Sequence, residues 1–447
     1  VLPGTYSQND DRNLEFKILI QGNISPKPVV LMSRGGPDST IIDCEGNKRA
    51  FNITSGTDTT LKIIGFNIIN GGENDGLGTA ISVRGLFGAT SGAIFENCII
   101  EDADGYEQAA IHLDNSFVIF RDCVIKNNRR HNNGQGDGFE GGGLHIWYSN
   151  CVLERTKVVG NYTENTGPSG SIWHYGTGIY ATDSYLVLKN SLIADNYAVD
   201  SETSSYSHGT GLVANFGTTV LINTTIAGNQ GLPATTGAGF NNGGNPDILP
   251  SLIILNSIIA GNTPSNNQIS LRYNNSDYEY FAMENSIFES ESESWWFDTD
   301  DGHYDFDPLF ADTNYVLSEY SHAIGLGGTS IEDADGNDIS APSVDILGDP
   351  RPNPAGSNPD LGAYEHELAS FRRVVYFVND STGNDSNDGL STAAAVKTIA
   401  EALNKSANRD TIELAAGTYT GTNNRNLNMN GLTRIIRSSA GAATTII

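Results

Sequence analysis

The chain has 447 residues and a formal net charge of −28, with 25 Lys and Arg against 53 Asp and Glu. That balance argues against a surface built to hold nucleic acid or an anionic membrane, since both need clustered cations, and no apolar run reaches the length that spans a bilayer. The 50 glycines, with abundant Asn, Ser, Thr and Asp, suit a solvated, exported protein with many tight turns.

The four cysteines, Cys44, Cys98, Cys123 and Cys151, are too few and too far apart for a disulfide scaffold, and no CxxC pair suggests zinc. They read as buried small residues. The first organised segment, residues 1–42, opens on Val1-Leu-Pro-Gly-Thr-Tyr and reaches Ser39-Thr-Ile-Ile. A longer series follows: Phe95-Glu-Asn-Cys-Ile-Ile, Phe120-Arg-Asp-Cys-Val-Ile, Leu188-Lys-Asn-Ser-Leu-Ile, Leu221-Ile-Asn-Thr-Thr-Ile, Leu255-Asn-Ser-Ile-Ile and Met283-Glu-Asn-Ser-Ile-Phe. Its small residues, Cys98, Cys123, Thr156, Ser191, Thr224, Ser257 and Ser286, recur every 25 to 35 residues, a spacing that signals a solenoid. They are expected to form an inward ladder. Several copies end in Asn, at Asn161, Asn196, Asn229 and Asn262, where one amide can stack on the next.

A second series precedes each strand: Gly78-Thr-Ala-Ile, Gly142-Gly-Leu-His, Gly176-Thr-Gly-Ile, Gly209-Thr-Gly-Leu and Gly237-Ala-Gly-Phe. Its glycines are expected to supply positive φ or close backbone approach at a corner. Each coil then carries at least two short strands, and only stacking buries their apolar faces. The predicted fold is all-β: a right-handed, single-stranded parallel β-helix over 1–305, with a short capping helix near the C-terminus.

After about Asp305 the texture changes to Asp307-Pro-Leu-Phe, Ser321-His-Ala-Ile-Gly, Asp345-Ile-Leu-Gly-Asp-Pro-Arg-Pro and Pro359-Asp-Leu-Gly-Ala-Tyr-Glu. Residues 306–367 thus resemble the closing segment of secreted bacterial β-helix proteins of the choice-of-anchor Q type. A linker, 368–373, leads to Val375-Tyr-Phe-Val-Asn-Asp, then Val396-Lys-Thr-Ile-Ala-Glu-Ala-Leu and Asp410-Thr-Ile-Glu-Leu. Residues 374–447 are similar to the opening of pectate-lyase-like β-helices, which implies a strand, a capping helix and a first coil. The interval from Tyr6 to Arg12 equals that from Tyr419 to Arg425, and Ser39-Thr-Ile-Ile matches Thr444-Thr-Ile-Ile. Two copies of one first coil are therefore present, and the sequence starts and stops inside motifs. The expected partner is a further copy of the chain, met head to tail through residues 1–42 and 374–447, in a fibre, surface layer or adhesin outside the cell or on its surface.

The resemblance implies a different activity as the alternative. Polysaccharide lyases of this fold use acidic residues to hold Ca²⁺ against a uronate and a Lys or Arg as base. Between His131 and Phe371 the only basic residues are Arg155, Lys157, Lys189, Arg272 and Arg351, and the first three are expected to point outward. The Asp300-Asp301 pair and the His208-Gly-Thr-Gly stretch do not make the carboxylate set of a glycoside hydrolase. An enzyme is thus not the favoured reading, and no catalytic residue is assigned. His112, His145 and His174, with Trp147 and Trp173 near them, are placed to line a groove for a polysaccharide. Two acidic turns carry the oxygen-rich pattern of Ca²⁺ ligands: Asp333, Asp335, Asn337 and Asp338 in one, Asp380, Asn384, Asp385 and Asp388 in the other. Both can instead be turns that satisfy their own backbone.

Overall fold

The coil turns where single residues enter the left-handed backbone region. Asn97, Asp122, Arg155, Asn190, Asn223, Asn256 and Asn285 all have φ between +47° and +53°, a region that Asn and Asp tolerate because their short side chains bond locally. Each stands directly before one of the seven small residues of the predicted ladder. The bend turns that next side chain inward, and all seven, from Cys98 to Ser286, are buried. Buried hydroxyls there do structural work: Ser191 Oγ accepts from the Thr156 N–H at 3.3 Å, and Ser257 Oγ from the Thr224 N–H at 3.2 Å. The four cysteines are buried.

The computed structural model describes residues 1–7, 14–17, 29–54, 61–85, 91–133, 138–167, 173–200, 206–232, 238–241, 251–263, 268–271, 280–288, 302–406, 410–429 and 434–447. It divides into two units, 1–318 with 322–369, and 319–321 with 370–447. In the first unit every coil places its strands beside those of the next coil, in parallel. One eleven-stranded sheet runs from Gly4–Tyr6 and Thr40–Asp43 through Ile99–Glu101, Val124–Lys126 and Lys157–Val159 to Ser286–Phe288 and His303–Tyr304. A sixteen-stranded sheet supplies the other two sides. One side holds Phe51–Thr54, Ile81–Arg84, Ile111–Asp114 and Leu144–Trp147. The other holds Leu61–Ile64, Ser91–Glu96, Ser116–Arg121 and Asn150–Glu154. The two sides merge where Ile179–Lys189 and Leu212–Ile222 run through a corner. The unit is a parallel β-solenoid of about ten turns.

Alternation fills the core. Ile111 and Leu113 point in, as do Leu144 and Ile146 one coil on, while Phe95 stacks on Phe120 at 5.2 Å. The Asn ladder forms as expected and extends one rung at each end. Asn128, Asn161, Asn196, Asn229 and Asn262 each donate to the next amide at 2.8–3.0 Å, ending on Gln268 Oε1. A second ladder was not expected. Asn256 donates to Asn223 at 3.0 Å and Asn223 to Asn190 at 2.9 Å, on the left-handed corners themselves.

The glycine series needs one correction. Gly176 and Gly209 have φ of +51° and +49°, but in the coil between His131 and Leu144 the positive φ falls on Gly141, not Gly142. The aligned triplet is Gly141-Gly-Gly against Gly176-Thr-Gly, one residue earlier than the sequence alignment placed it. Gly78 has no positive φ; a Cβ there would lie 2.0 Å from the Ile81 carbonyl oxygen, so close approach is its reason. Gly237 lies outside the described residues.

Residues 306–367 lie partly along the flank of the solenoid. Ile331, in the antiparallel hairpin Ser330–Glu332 and Asp338–Ser340, packs on Val187, Val220, Ile222, Ile253 and Leu255. Three of the four sequence pieces singled out there are knitted together: Leu361 N donates to Ala323 O at 3.1 Å, Ile346 N to Ala363 O at 3.0 Å, and the buried Arg351 pairs with Glu365 at 2.8 Å.

In the second unit Val375–Val378, Thr411–Leu414 and Ile435–Ser438 form a parallel sheet. The helix Ile399–Lys405 covers it, burying Ile399, Ala402 and Leu403 against Val378, Ile412 and Leu414. Thr398 caps the helix by accepting from the Glu401 N–H.

The first-coil repeat has the same geometry twice. Gly4 stands opposite Thr40, and Gly417 opposite Thr445. Ser33 Oγ lies 2.6 Å from Thr40 Oγ1, and Ser438 Oγ 2.7 Å from Thr445 Oγ1. Gly36 and Gly441 share φ of +78° and +79°.

Candidate functional site

Because strand side chains alternate, the side built from Phe51–Thr54, Ile81–Arg84, Ile111–Asp114, Leu144–Trp147 and Ile179–Lys189 presents two outward columns. One reads Asn52, Ser82, His112, His145 and Tyr180. The other reads Thr54, Arg84, Asp114, Trp147 and Thr182. The first column faces outward yet is not in solvent: Ser82, His112 and Tyr180 are buried. Neighbouring segments bring Arg49, Asp75, Arg130 and Glu140 to it.

The rings along this column touch. His112 and His145 meet edge to face at 5.0 Å, and His145 meets Tyr180 at 5.5 Å. Asn215 Nδ2 donates to the Tyr180 hydroxyl at 3.1 Å, while His145 Nε2 lies 3.7 Å from Glu140. Burial is the main cause that pulls His112 down to about 4, and the charges of Arg130, Arg84 and Arg49 add to it. Burial likewise holds His145 well below its ordinary value. Both imidazoles are therefore neutral at neutral pH, able to donate and accept hydrogen bonds but carrying no charge. Arg130 is lowered by burial to about 10, with Glu140 opposing, and stays charged. Its Nη1 donates to the carbonyls of Glu140 and Gly141, and Arg49 pairs with Asp75.

Exposed aromatic rings lie beside this column. Trp147 and Tyr148 sit at one corner with centroids 5.4 Å apart. Phe117 and Tyr185, also exposed, flank Asn150 on the neighbouring rungs. Trp173 lies flat on His208 at 5.2 Å, beside Tyr175.

Of the histidines singled out in the sequence, His112 and His145 are thus brought together. His174 is not with them. It is sealed in a small side lobe, where Nδ1 meets Thr163 Oγ1 at 2.7 Å and Nε2 faces Asp200 at 3.6 Å. The basic residues weighed as lyase bases are occupied: Arg155 pairs with Asp122 and Glu154, Lys157 lies over the Tyr364 ring at 5.5 Å, and Arg351 is buried with Glu365. Lys189 stands in the outward ladder beside Glu154. Arg272, Asp300 and Asp301 lie outside the described residues. Arg49, Arg84, Arg130, Ser82 and Tyr180 were not anticipated. Setting Ile111-His-Leu over Leu144-His-Ile would have fixed the column, and so found Ser82 and Tyr180.

The two acidic turns lie apart from this flank in sequence and use their carboxylates locally. Asp333 Oδ1 accepts the N–H groups of Asp335 and Asn337 at 2.9 and 2.8 Å, with Asp338 at the hairpin edge near Ser330 Oγ. Asn384 and Asp388 accept from Ser386 and Leu390. Asp385 accepts from the N–H groups of Lys397 and Thr398, both at 2.8 Å, and Asp380 lies beside Gly417. Among the described residues no three of His, Cys, Asp and Glu are grouped as metal ligands. Compared with family models, curated proteins and solved structures, the chain matches none.

Proposed function

We propose that the chain is a structural, extracellular β-solenoid module that stacks head to tail on further copies of itself, in a fibre, surface layer or adhesin. The repeated first coil carries this reading. Coils of a solenoid are stabilised by the neighbour on which they stack, and the two copies present equivalent strands, Val29–Met32 in one and Ile435–Ser438 in the other, in which Val30 and Ile435 are the same position and both exposed. Strand edges of this kind recruit another strand. The stacking chemistry is the same whether the next copy is carried on the same polypeptide or on another. The acidic, Asn- and Gly-rich composition supports a place outside the cell, and the likeness of 306–367 and 374–447 to secreted β-helix proteins belongs to this proposal.

The test is to put charge on both edges. Val30→Lys with Ile435→Lys changes exposed side chains at equivalent positions, so the circular dichroism spectrum stays as it was while assembly is lost. Assemblies of undiminished size would sink the reading.

A second reading has its own observation. Phe117, Trp147, Tyr148 and Tyr185 form an exposed aromatic row across successive coils, whose spacing of about 4.8 Å is close to the length of one pyranose ring. A polysaccharide laid along the axis would stack on these rings, and Trp147→Ala would abolish its retention in affinity electrophoresis. Calcium at the turns of Asp333–Asp338 or Asp380–Asp388 also belongs to the proposal: chelation with EDTA should then lower the melting temperature, and an unchanged value removes the ion.

A further inference from the structure

Three guanidinium groups on the His112 flank keep N–H donors that nothing among the described residues accepts. Nη1 of Arg49, Nε of Arg84 and Nε of Arg130 are all out of solvent and without a partner. Arg49 is 1% exposed, and its other terminal nitrogen is taken by Asp75; Arg130 is buried, its Nη1 spent on backbone carbonyls. Ser82 Oγ, one rung from His112, is buried and unpartnered too.

The three arginines come from different coils, 35 and 46 positions apart in sequence, yet their charges all reach His112. Two of the acids nearby lie further out, the Asp75 and Glu140 side chains being 45% and 43% exposed, while Asp114 stands half-buried opposite Arg84 on the next rung. Arg49 and Arg130 are thus the deepest charges, with carboxylates beside Arg84 and towards the rim. A buried cationic N–H without an acceptor bears the full cost of its lost hydration. A water molecule satisfies a donor but leaves the charge, whereas a group with two or three anionic oxygens answers both, and guanidinium forks match it best.

We propose that this flank is a binding site for an oxyanion, a carboxylate, sulfate or phosphate group, with Arg84 at its mouth, Arg49 and Arg130 behind it, and Ser82 Oγ and His112 as neutral partners. The site is independent of end-to-end stacking, since it lies on the side of the solenoid. Its ligand is either a free ion or the same group carried on a polymer.

The experiment uses the full chain and follows its melting temperature while sodium sulfate, or in a second arm sodium acetate, replaces sodium chloride at constant ionic strength. Sulfate stabilises proteins in general by exclusion from their surfaces, so the reading is the difference between the wild type and Arg84→Gln. Arg84 is only half-buried, and its variant should keep the wild-type circular dichroism. A saturable rise is expected in the wild type, with affinity weakened about tenfold or more in Arg84→Gln. Arg129→Gln, the outward neighbour of Arg130, should bind as the wild type does. A response to dextran sulfate but not to dextran, far stronger than to free sulfate, would place the group on a polymer; an equal response to free sulfate would make it the ion. The proposal is overturned if the wild type and Arg84→Gln respond alike in every arm.

Discussion

Asn196 donates from Nδ2 to the Oδ1 of Asn229 at 2.8 Å, and that same oxygen accepts the Asn196 backbone N–H at 3.0 Å. The pair is one rung of a buried ladder, and each amide also donates to a carbonyl of the coil before it, as Asn196 does to Val158 at 3.0 Å. Each ladder amide is thus bonded to the coils on both sides of it. Asn196→Ala strips the Asn161 N–H and Nδ2 of their acceptor and leaves the Asn229 oxygen with the residue-196 backbone N–H as its remaining ladder donor. The expected loss is about 2–5 kcal/mol, read from urea unfolding, whereas Asn150→Ala, at an exposed position, should stay within about 0.5 kcal/mol.

The His112 column should make the fold sensitive to acid. The folded state holds His112 neutral down to about 4, below its ordinary 6.5. Between those values the unfolded chain binds the extra proton, so stability is intact above about 6.5 and falls as pH drops towards 4. Comparing melting temperatures of the wild type and His112→Gln across that window should show the variant losing less on acidification. Parallel curves would mean that His112 charges freely in the fold.

Asp360 should act in the opposite direction. Burial, with Glu365 nearby, raises its carboxyl to about 7, while Arg351 and the N–H groups of Gly325 and His366 oppose the rise. Here the folded state binds the extra proton between about 4 and 7, so this contribution is present at low pH and is lost as pH rises through 7. Asp360→Asn should therefore narrow its stability deficit, or reverse it, as pH rises from 5 to 8. A constant difference over that range would contradict the shift.

Much of this fold was legible because one coil is written many times. The small residue at each corner marks the repeat, and its left-handed neighbour is usually Asn or Asp, which is the reason the corner forms there. The second ladder, Asn190 to Asn256, was visible as letters but not as structure, because its ends bond to Val344 and Gly328, 154 and 72 positions away. The flank was the least legible part. His112 and His145 share a register that sequence spacing hints at, but Arg49 and Arg130 stand outside the strand columns that carry Arg84 and His112, so no spacing in the sequence announces that all three charges act on His112. The one-residue slip at Gly141 has a similar cause: three consecutive glycines offer no side chain to fix the alignment.

The cap of the second unit depends on one carboxylate. Asp385 accepts from the Lys397 and Thr398 N–H groups and from Thr398 Oγ1 at 3.1 Å, holding the residue that starts the helix. Asp385→Ala should destabilise residues 370–447 by about 1–3 kcal/mol, seen as faster hydrogen exchange at Thr411–Leu414, while Asn128–Asn262 stays protected. Equal loosening of both regions would show that the two units do not unfold separately.

The central claim is that copies of this module stack end to end through the repeated first coil. Its most direct test is the solution mass by light scattering, with electron micrographs, for the full chain and for a version ending after Glu367. Filaments from the full chain and monomers from the shorter one are the predicted result. Monomers from both would contradict non-covalent stacking.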